Sequence, residues 1–176
     1  MNAFKMLTGS VKRIGLAGVA ALLLSACVSE TETPAFYKSM ARVDASVDQQ
    51  TAAQMISQYR SNNGLGPVTV DPALTAIALS QAQAMAKAGD VRASLPKKQQ
   101  LETRMASIGE PQTYAVENVS GGYRTLAEAF SGWRESPKHN KVMLDAKATR
   151  LGIATAYAPN AKHKVFWSLV MAGPKP

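Results

Sequence analysis

Apolar side chains recur with a helical period in four stretches of the chain and with a strand-like rhythm in three others. Ala52, Met55, Ile56 and Tyr59 fall on one face and predict a helix over residues 48–61. Asn62-Asn63-Gly64-Leu65-Gly66-Pro67 stops it, and Val68-Thr69-Val70 reads as a short extended piece. Asp71-Pro72 opens a second helix, with the acid as N-cap and the proline at the first helical position. Leu74, Ile77, Ala78, Ala82 and Met85 line its face, and Gly89 ends it. Residues 90–96 are irregular. Leu101, Met105 and Ile108 mark a third, short helix closed by Gly109.

Tyr114 to Val119 reads as a strand followed by a Gly121-Gly122 turn. Thr125-Leu126-Ala127-Glu128 forms a capping box, after which Leu126, Ala129, Phe130 and Trp133 share one helical face. Ser136-Pro137 caps and opens one more short helix ending near Leu144. Leu151–Tyr157 and Val165–Met171 then form two strands joined by residues 158–162. Helices, one strand, helices and a hairpin predict a mixed α/β domain over residues 47–176, built on a small, largely antiparallel sheet. No internal repeat is present. Residues 27–46 show no clear period and read as a tether, ending in a short turn.

The first 26 residues carry an address rather than a fold. Lys5, Lys12 and Arg13 precede an apolar stretch from Ile14 to Leu24, too short to cross a hydrocarbon core of ~30 Å. Leu24-Ser25-Ala26-Cys27 follows and resembles the bacterial lipobox. That resemblance implies cleavage before Cys27, lipid on its sulfur, and acylation of the new amino group. Two or three acyl chains anchor firmly where one does so only marginally. Cys27 is then consumed by lipid, and the membrane is the first expected partner. Val28, where an Asp would resemble an inner-membrane retention signal, favours the outer membrane, with the domain facing the periplasm.

Composition narrows the remaining choices. A single cysteine excludes a disulfide framework and a multi-thiolate zinc site. The formal charge of +8 rests on 20 basic and 12 acidic residues. Loss of Lys5, Lys12 and Arg13 leaves 17 against 12, a net of +5, which suits anionic envelope surfaces. No basic stripe interleaved with aromatics points to nucleic acid.

Four stretches in order resemble the CAP superfamily, the group of cysteine-rich secretory proteins, antigen 5 and plant pathogenesis-related proteins. They are Leu74 to Met85, ending Ala-Met-Ala; Ala115-Val116-Glu117-Asn118-Val119; Trp133-Arg134-Glu135-Ser136-Pro137-Lys138-His139; and Arg150-Leu151-Gly152-Ile153-Ala154 with Phe166-Trp167. The likeness runs from Tyr59-Arg60 to the C-terminus. It implies an α-β-α sandwich with a cleft that commonly holds two histidines and two acids. Glu117 and His139 carry over by position. The segment that usually supplies the other histidine is Val91-Arg92-Ala93-Ser94-Leu95, which has none, so Ser94 stands near the vacant place. Glu135 is the nearest candidate for the second acid, and Asn118 binds either ligand or backbone.

His139 falls in the first turn of a predicted helix, where the dipole lowers its pKa; Glu117, in the same cleft, would oppose that shift. A neutral imidazole beside a carboxylate acts as a base, ligates a metal or orients a polar ligand. One histidine with one or two carboxylates binds metal weakly, so no zinc site or other cofactor is expected. His163 falls in the hairpin turn and is expected to be solvated. No G-x-S-x-G or free thiol supports nucleophilic catalysis, and Ser136 and Glu128 read as caps. Trp133, Trp167, Met55, Met85, Met105 and Met143 read as core. The leading expectation is a lipid-anchored envelope module that binds lipid, glycan or protein through a cleft around Glu117 and His139. The alternatives are a hydrolase using His139 as general base and a purely structural envelope protein.

Overall fold

Residues 32–175 are described by a computed structural model. The signal segment, Cys27 and Val28 lie outside them. In chain order the elements are α1 (Gln49–Ser61), β1 (Thr69–Val70), α2 (Pro72–Ala88), α3 (Leu101–Ser107), β2 (Ala115–Gly121), α4 (Leu126–Glu135), α5 (Pro137–Met143), β3 (Arg150–Tyr157) and β4 (Val165–Ala172). The strands pair in the order β1-β3-β4-β2, antiparallel except for β1 against β3. The two central strands are buried on both faces, as their near-continuous apolar sequences require. Trp167, Leu169 and Met171 face a core shared with Ile56, Leu126, Ala129, Trp133 and Met143. Val170 and Ala172 face Leu74, Ile77, Ala78 and Met105. Helices therefore cover both faces of the sheet, the mixed α/β layering expected from the sequence.

Local chemistry sets the element boundaries. The Asp71 carboxylate accepts from the backbone N–H of Ala73 and Leu74, and Gly89 closes α2 in the left-handed region at φ 68°. The capping box at α4 forms in both directions: Glu128 N–H donates to Thr125 Oγ1 (3.2 Å), and Arg124 N–H donates to Glu128 Oε2 (2.6 Å). Gly152 lies directly beneath α2, where a Cβ would overlap the backbone of Leu74 and Thr75. Past β1, the Gln49 amide stands in for a strand: it donates to Ile153 O (2.5 Å) and accepts from Ile153 N–H (3.3 Å).

Two expectations need correction. The tether does not extend to residue 46. Met40 is 3% exposed, Phe36, Ala41 and Ala45 pack on the same core, and Met40 N–H donates to Arg124 O at 2.7 Å. These apolar residues have no period because they fill a gap beside α4 rather than one face of an element. Ser136 occupies the N-cap position of α5, but its side chain makes no capping bond; its carbonyl accepts from Asn140 N–H at 2.8 Å.

Buried charge ties the frame together. Arg150 reaches Asp71 Oδ2 and Glu110 Oε2, each at 2.6 Å, and donates from Nε to Gly173 O at 2.8 Å. This cluster joins the start of α2, the α3–β2 loop, β3 and the C-terminal segment. Burial opposes ionisation of Asp71, but Arg150 and the two capping N–H groups hold its carboxyl below the ordinary range. The Arg150 hydrogen bond does the same for Glu110.

Because both folded-state values are depressed, this cluster stabilises the protein above the unfolded values of ~4, and its contribution is lost as pH falls through the folded ones. Glu110→Gln should cost about 3 kcal/mol at pH 7 and flatten the acid limb of a urea-unfolding series. An acid limb as steep as the parent's would remove the cluster from that role. Met40→Ala should cost about 2 kcal/mol in the same assay, whereas a residue in a free tether would be silent.

Candidate functional site

The pleat of β2 sends successive side chains to opposite faces. Glu117 and Val119 turn toward the α3 side, and both line a hollow of about 520 Å3. Ser94, at the end of a 3-10 turn over Val91–Ser94, lines it too, with Leu95, Gln100, Leu101 and Glu102. His139 and Lys138 reach it from the first turn of α5. The hollow thus brings Glu117, His139 and Ser94 together.

Asn118 and Glu135 do not join them. Asn118 points to the other face of β2, is 1% exposed, and donates from Nδ2 to His139 O at 2.9 Å. It fastens α5 to the strand. Glu135 stands two residues past buried Trp133, roughly 200° around the helix, so it faces solvent with a side chain 74% exposed. Its nearest opposite charge is Arg134, at 4.0 Å.

The expected pairing of Glu117 with His139 is also replaced. The Glu117 carboxylate accepts from Arg104 Nη2, and no hydrogen bond or ion pair joins it to His139 among the described residues. Arg104 is held in turn by Gln99 O (2.9 Å) and Ile77 O (3.4 Å). Burial pushes the Glu117 carboxyl up, Arg104 draws it back, and Glu102 adds a further push upward. For His139, burial lowers the pKa and the Lys138 charge lowers it further, so both favour the neutral ring. Its Nδ1 is buried and has no partner among the described residues.

Arg104 is the residue that sequence reasoning missed. A signal was present: Leu101, Arg104, Met105 and Ile108 fall on one helical stripe, and a charge on an apolar stripe calls for a buried counter-charge. Lys138 was equally legible beside His139, but nothing in the sequence pointed it at the hollow.

The donor set does not suit zinc. Among the described residues, no three His, Cys, Asp or Glu side chains gather at one point. A guanidinium already engages Glu117, and Lys138 adds a second positive charge. His163 is not freely solvated. It is half-buried, edge-to-face with Phe166 at 6.4 Å, and a Cβ on Gly121 would lie 3.1 Å from its own Cβ. The tryptophans are core, as expected: Trp133 and Trp167 meet edge-to-face at 6.1 Å, with N–H groups satisfied by Ser120 Oγ and Tyr123 O.

Comparison with solved structures places this architecture among bacterial proteins. An extracellular protein containing an SCP domain from Bacillus anthracis matches with a TM-score of 0.61 at 20% identity, over 72% of this chain and 40% of its own. An outer surface protein of Borrelia burgdorferi matches with a TM-score of 0.63 at 14% identity, over 74% of this chain and 98% of its own. A cysteine-rich secretory protein of Staphylococcus aureus matches with a TM-score of 0.57 at 17% identity, over 76% of this chain and 40% of its own. This chain therefore spans about two fifths of the Bacillus and Staphylococcus proteins. At these identities the likeness establishes the fold alone. The model of the cysteine-rich secretory protein family matches residues 53–171, from the second turn of α1 to the last strand. The chain belongs to the cysteine-rich secretory protein (CAP) family.

Proposed function

We propose that this CAP-domain protein is a lipid-anchored binding module of the cell envelope, taking a small polar ligand group into the hollow beside β2. The observation that carries this reading is one cavity of about 520 Å3 lined by Glu117, His139, Lys138 and Ser94. Its volume falls within the range of small-ligand sites, and a few polar groups converge on partly apolar walls of Leu95, Leu101 and Val119. Glycan, a lipid headgroup or a polar side chain of a protein partner suits such a lining. Anchoring rests on Leu24-Ser25-Ala26-Cys27 and an outer-membrane placement facing the periplasm on Val28. The extracellular and outer-surface settings named for two of the structural relatives agree with an envelope location.

Hydrolysis is less well supported. A general base gains strength from a carboxylate that orients and stabilises its protonated form. Here the nearby carboxylate is engaged by Arg104, and Lys138 works against an imidazolium. A purely structural role would leave the convergence of ionisable groups in one hollow without a use.

The test is titration of the soluble body, residues 32–176, with muropeptide fragments and with phosphatidylglycerol vesicles, read by amide chemical shifts. This segment holds both packed cores described above. His139→Ala and Lys138→Ala should each weaken binding about tenfold, equivalent to ~1.4 kcal/mol, with circular dichroism unchanged. Full affinity in both variants would place the site elsewhere. For the anchor, the intact mass of the membrane-extracted protein should correspond to residues 27–176 plus diacylglycerol and an N-acyl chain. Cys27→Ser should release the chain from the membrane fraction, and retention there would sink the lipidation reading.

A further inference from the structure

We infer that Asn118 holds the His139 imidazole in the tautomer protonated at Nδ1, so that Nε2 offers its lone pair to the hollow and accepts a hydrogen bond from a hydroxyl, amide N–H or ammonium group of the ligand. Among the described residues, few buried side-chain polar atoms lack a partner. Two of them, His139 Nδ1 and Asn118 Oδ1, belong to residues that are already bonded to each other.

The bond that exists fixes the chemistry of the one that is missing. Asn118 Nδ2 donates to His139 O at 2.9 Å, so the amide cannot be turned over without setting two oxygens face to face. Oδ1 is therefore a fixed acceptor on a side chain 1% exposed, and it needs a donor. A neutral imidazole nitrogen is a donor or a bare acceptor according to where the single proton resides. With the proton on Nε2, Nδ1 becomes a second buried acceptor, and neither orphan serves the other. With the proton on Nδ1, the ring supplies the donor that Oδ1 lacks. The inferred contact requires the ring to turn toward Oδ1, or one water to join the two atoms. Orphaned buried groups are costly enough that the complementary arrangement dominates.

The tautomer decides what the hollow can bind. Nε2 with a free lone pair accepts, and so does the Glu117 carboxylate on β2. Lys138 on α5 supplies a positive charge at the rim, Glu102 on α3 a negative one, and Arg104 on α3 is spent on Glu117. Two acceptors side by side select a ligand that presents donors, such as a sugar diol or an amine. Burial and Lys138 keep the ring neutral, which is the condition under which a tautomer exists to be chosen. Asn118 is thus a positioning residue: it acts on the ligand through the ring and never touches it.

The inference rests on the cleft reading for the use made of Nε2, whereas the tautomer is measured with no ligand present. The chain has two histidines, so full-length protein labelled with 15N-histidine in detergent micelles gives a simple imidazole spectrum, assigned by His163→Gln. Long-range 1H–15N correlation at pH 7.5 should show His139 with a protonated Nδ1 and a bare, pyridine-type Nε2. An Nε2–H pattern, or an averaged mixture of both forms, overturns the inference. Asn118→Asp should raise the His139 titration midpoint by about one pH unit, because a carboxylate in the inferred contact would favour the imidazolium. A folded Asn118→Asp protein with an unmoved midpoint also overturns it. Should that variant fail to fold, the native spectrum alone decides. Failure of the cleft reading has a different signature: no probe shifts Glu117, Val119 or His139, whatever tautomer the ring adopts.

Discussion

The position of β2 at the edge of the sheet governs the chemistry of this molecule. Its inner side pairs with β4 along seven residues, from Ala115 opposite Ala172 to Gly121 opposite Phe166. Among the described residues no further strand pairs with its outer side, and α5 packs against β2 through the bond from Asn118 to His139 O. The two-residue alternation then divides its side chains without exception. Glu117 and Val119 go to the hollow, while Asn118 and Ser120 go to the layer beneath α4 and α5, where they hold His139 O and Trp133 Nε1. A one-residue slip of β2 against β4 would exchange those faces and turn the Glu117 carboxylate into the packed layer beneath α4 and α5. The register is fixed by both faces at once, which is why the same strand can carry the candidate site and brace the helix opposite.

Three buried arginines show how the fold handles charge away from solvent. Arg150 lies between two carboxylates and is neutralised more than once over. Arg104 meets one carboxylate and two carbonyls. Among the described residues Arg60 pairs with no carboxylate: its guanidinium donates to the carbonyls of Gly66, Met143, Asp145 and Ala148, and burial draws its pKa down. Guanidinium suits all three settings because its donors are spread across a rigid plane. Arg60 fastens the end of α1 to the α5–β3 connection, and Arg150 fastens α2 to β3. Arg104 differs from both in lying beside the hollow, where its partner Glu117 is still 20% exposed along the side chain. A carboxylate so placed remains an acceptor at its second oxygen while its charge is largely answered.

Much of the frame was legible in the sequence because it is set by short-range rules. The capping box at Thr125, the Asp71-Pro72 helix start, the Gly89 stop and the hairpin all formed where local chemistry put them. The placement of Glu117, Ser94 and His139 in one hollow came instead through the family likeness, since no local rule brings residues 94, 117 and 139 together. Glu135 is close to Trp133 in sequence, but two residues along a helix turn its side chain through about 200°, into solvent. Of the two readings open for Asn118, ligand or backbone, the structure shows the backbone one. The packing of Phe36 and Met40 and the Arg104–Glu117 pair depend on contacts between distant parts of the chain, and composition alone carries no such information.

The absence of a histidine from residues 91–95 has a consequence for the residues that remain. Two imidazoles and two carboxylates facing one another would form a set of ligands around a common centre. With Ser94 in the vacant region and Arg104 on Glu117, that centre already has a resident cation of the protein's own making. The guanidinium answers the carboxylate charge that a metal would otherwise have answered, and it does so from a buried side chain 5% exposed that cannot be washed out. His139 is then left without a charged partner, near Lys138, in a state that favours neutrality. A cleft so arranged presents a fixed pattern of donors and acceptors. Pre-set polarity of this kind is what the proposed binding of a polar group would draw on, since donors and acceptors already held in place lose little freedom when a ligand meets them.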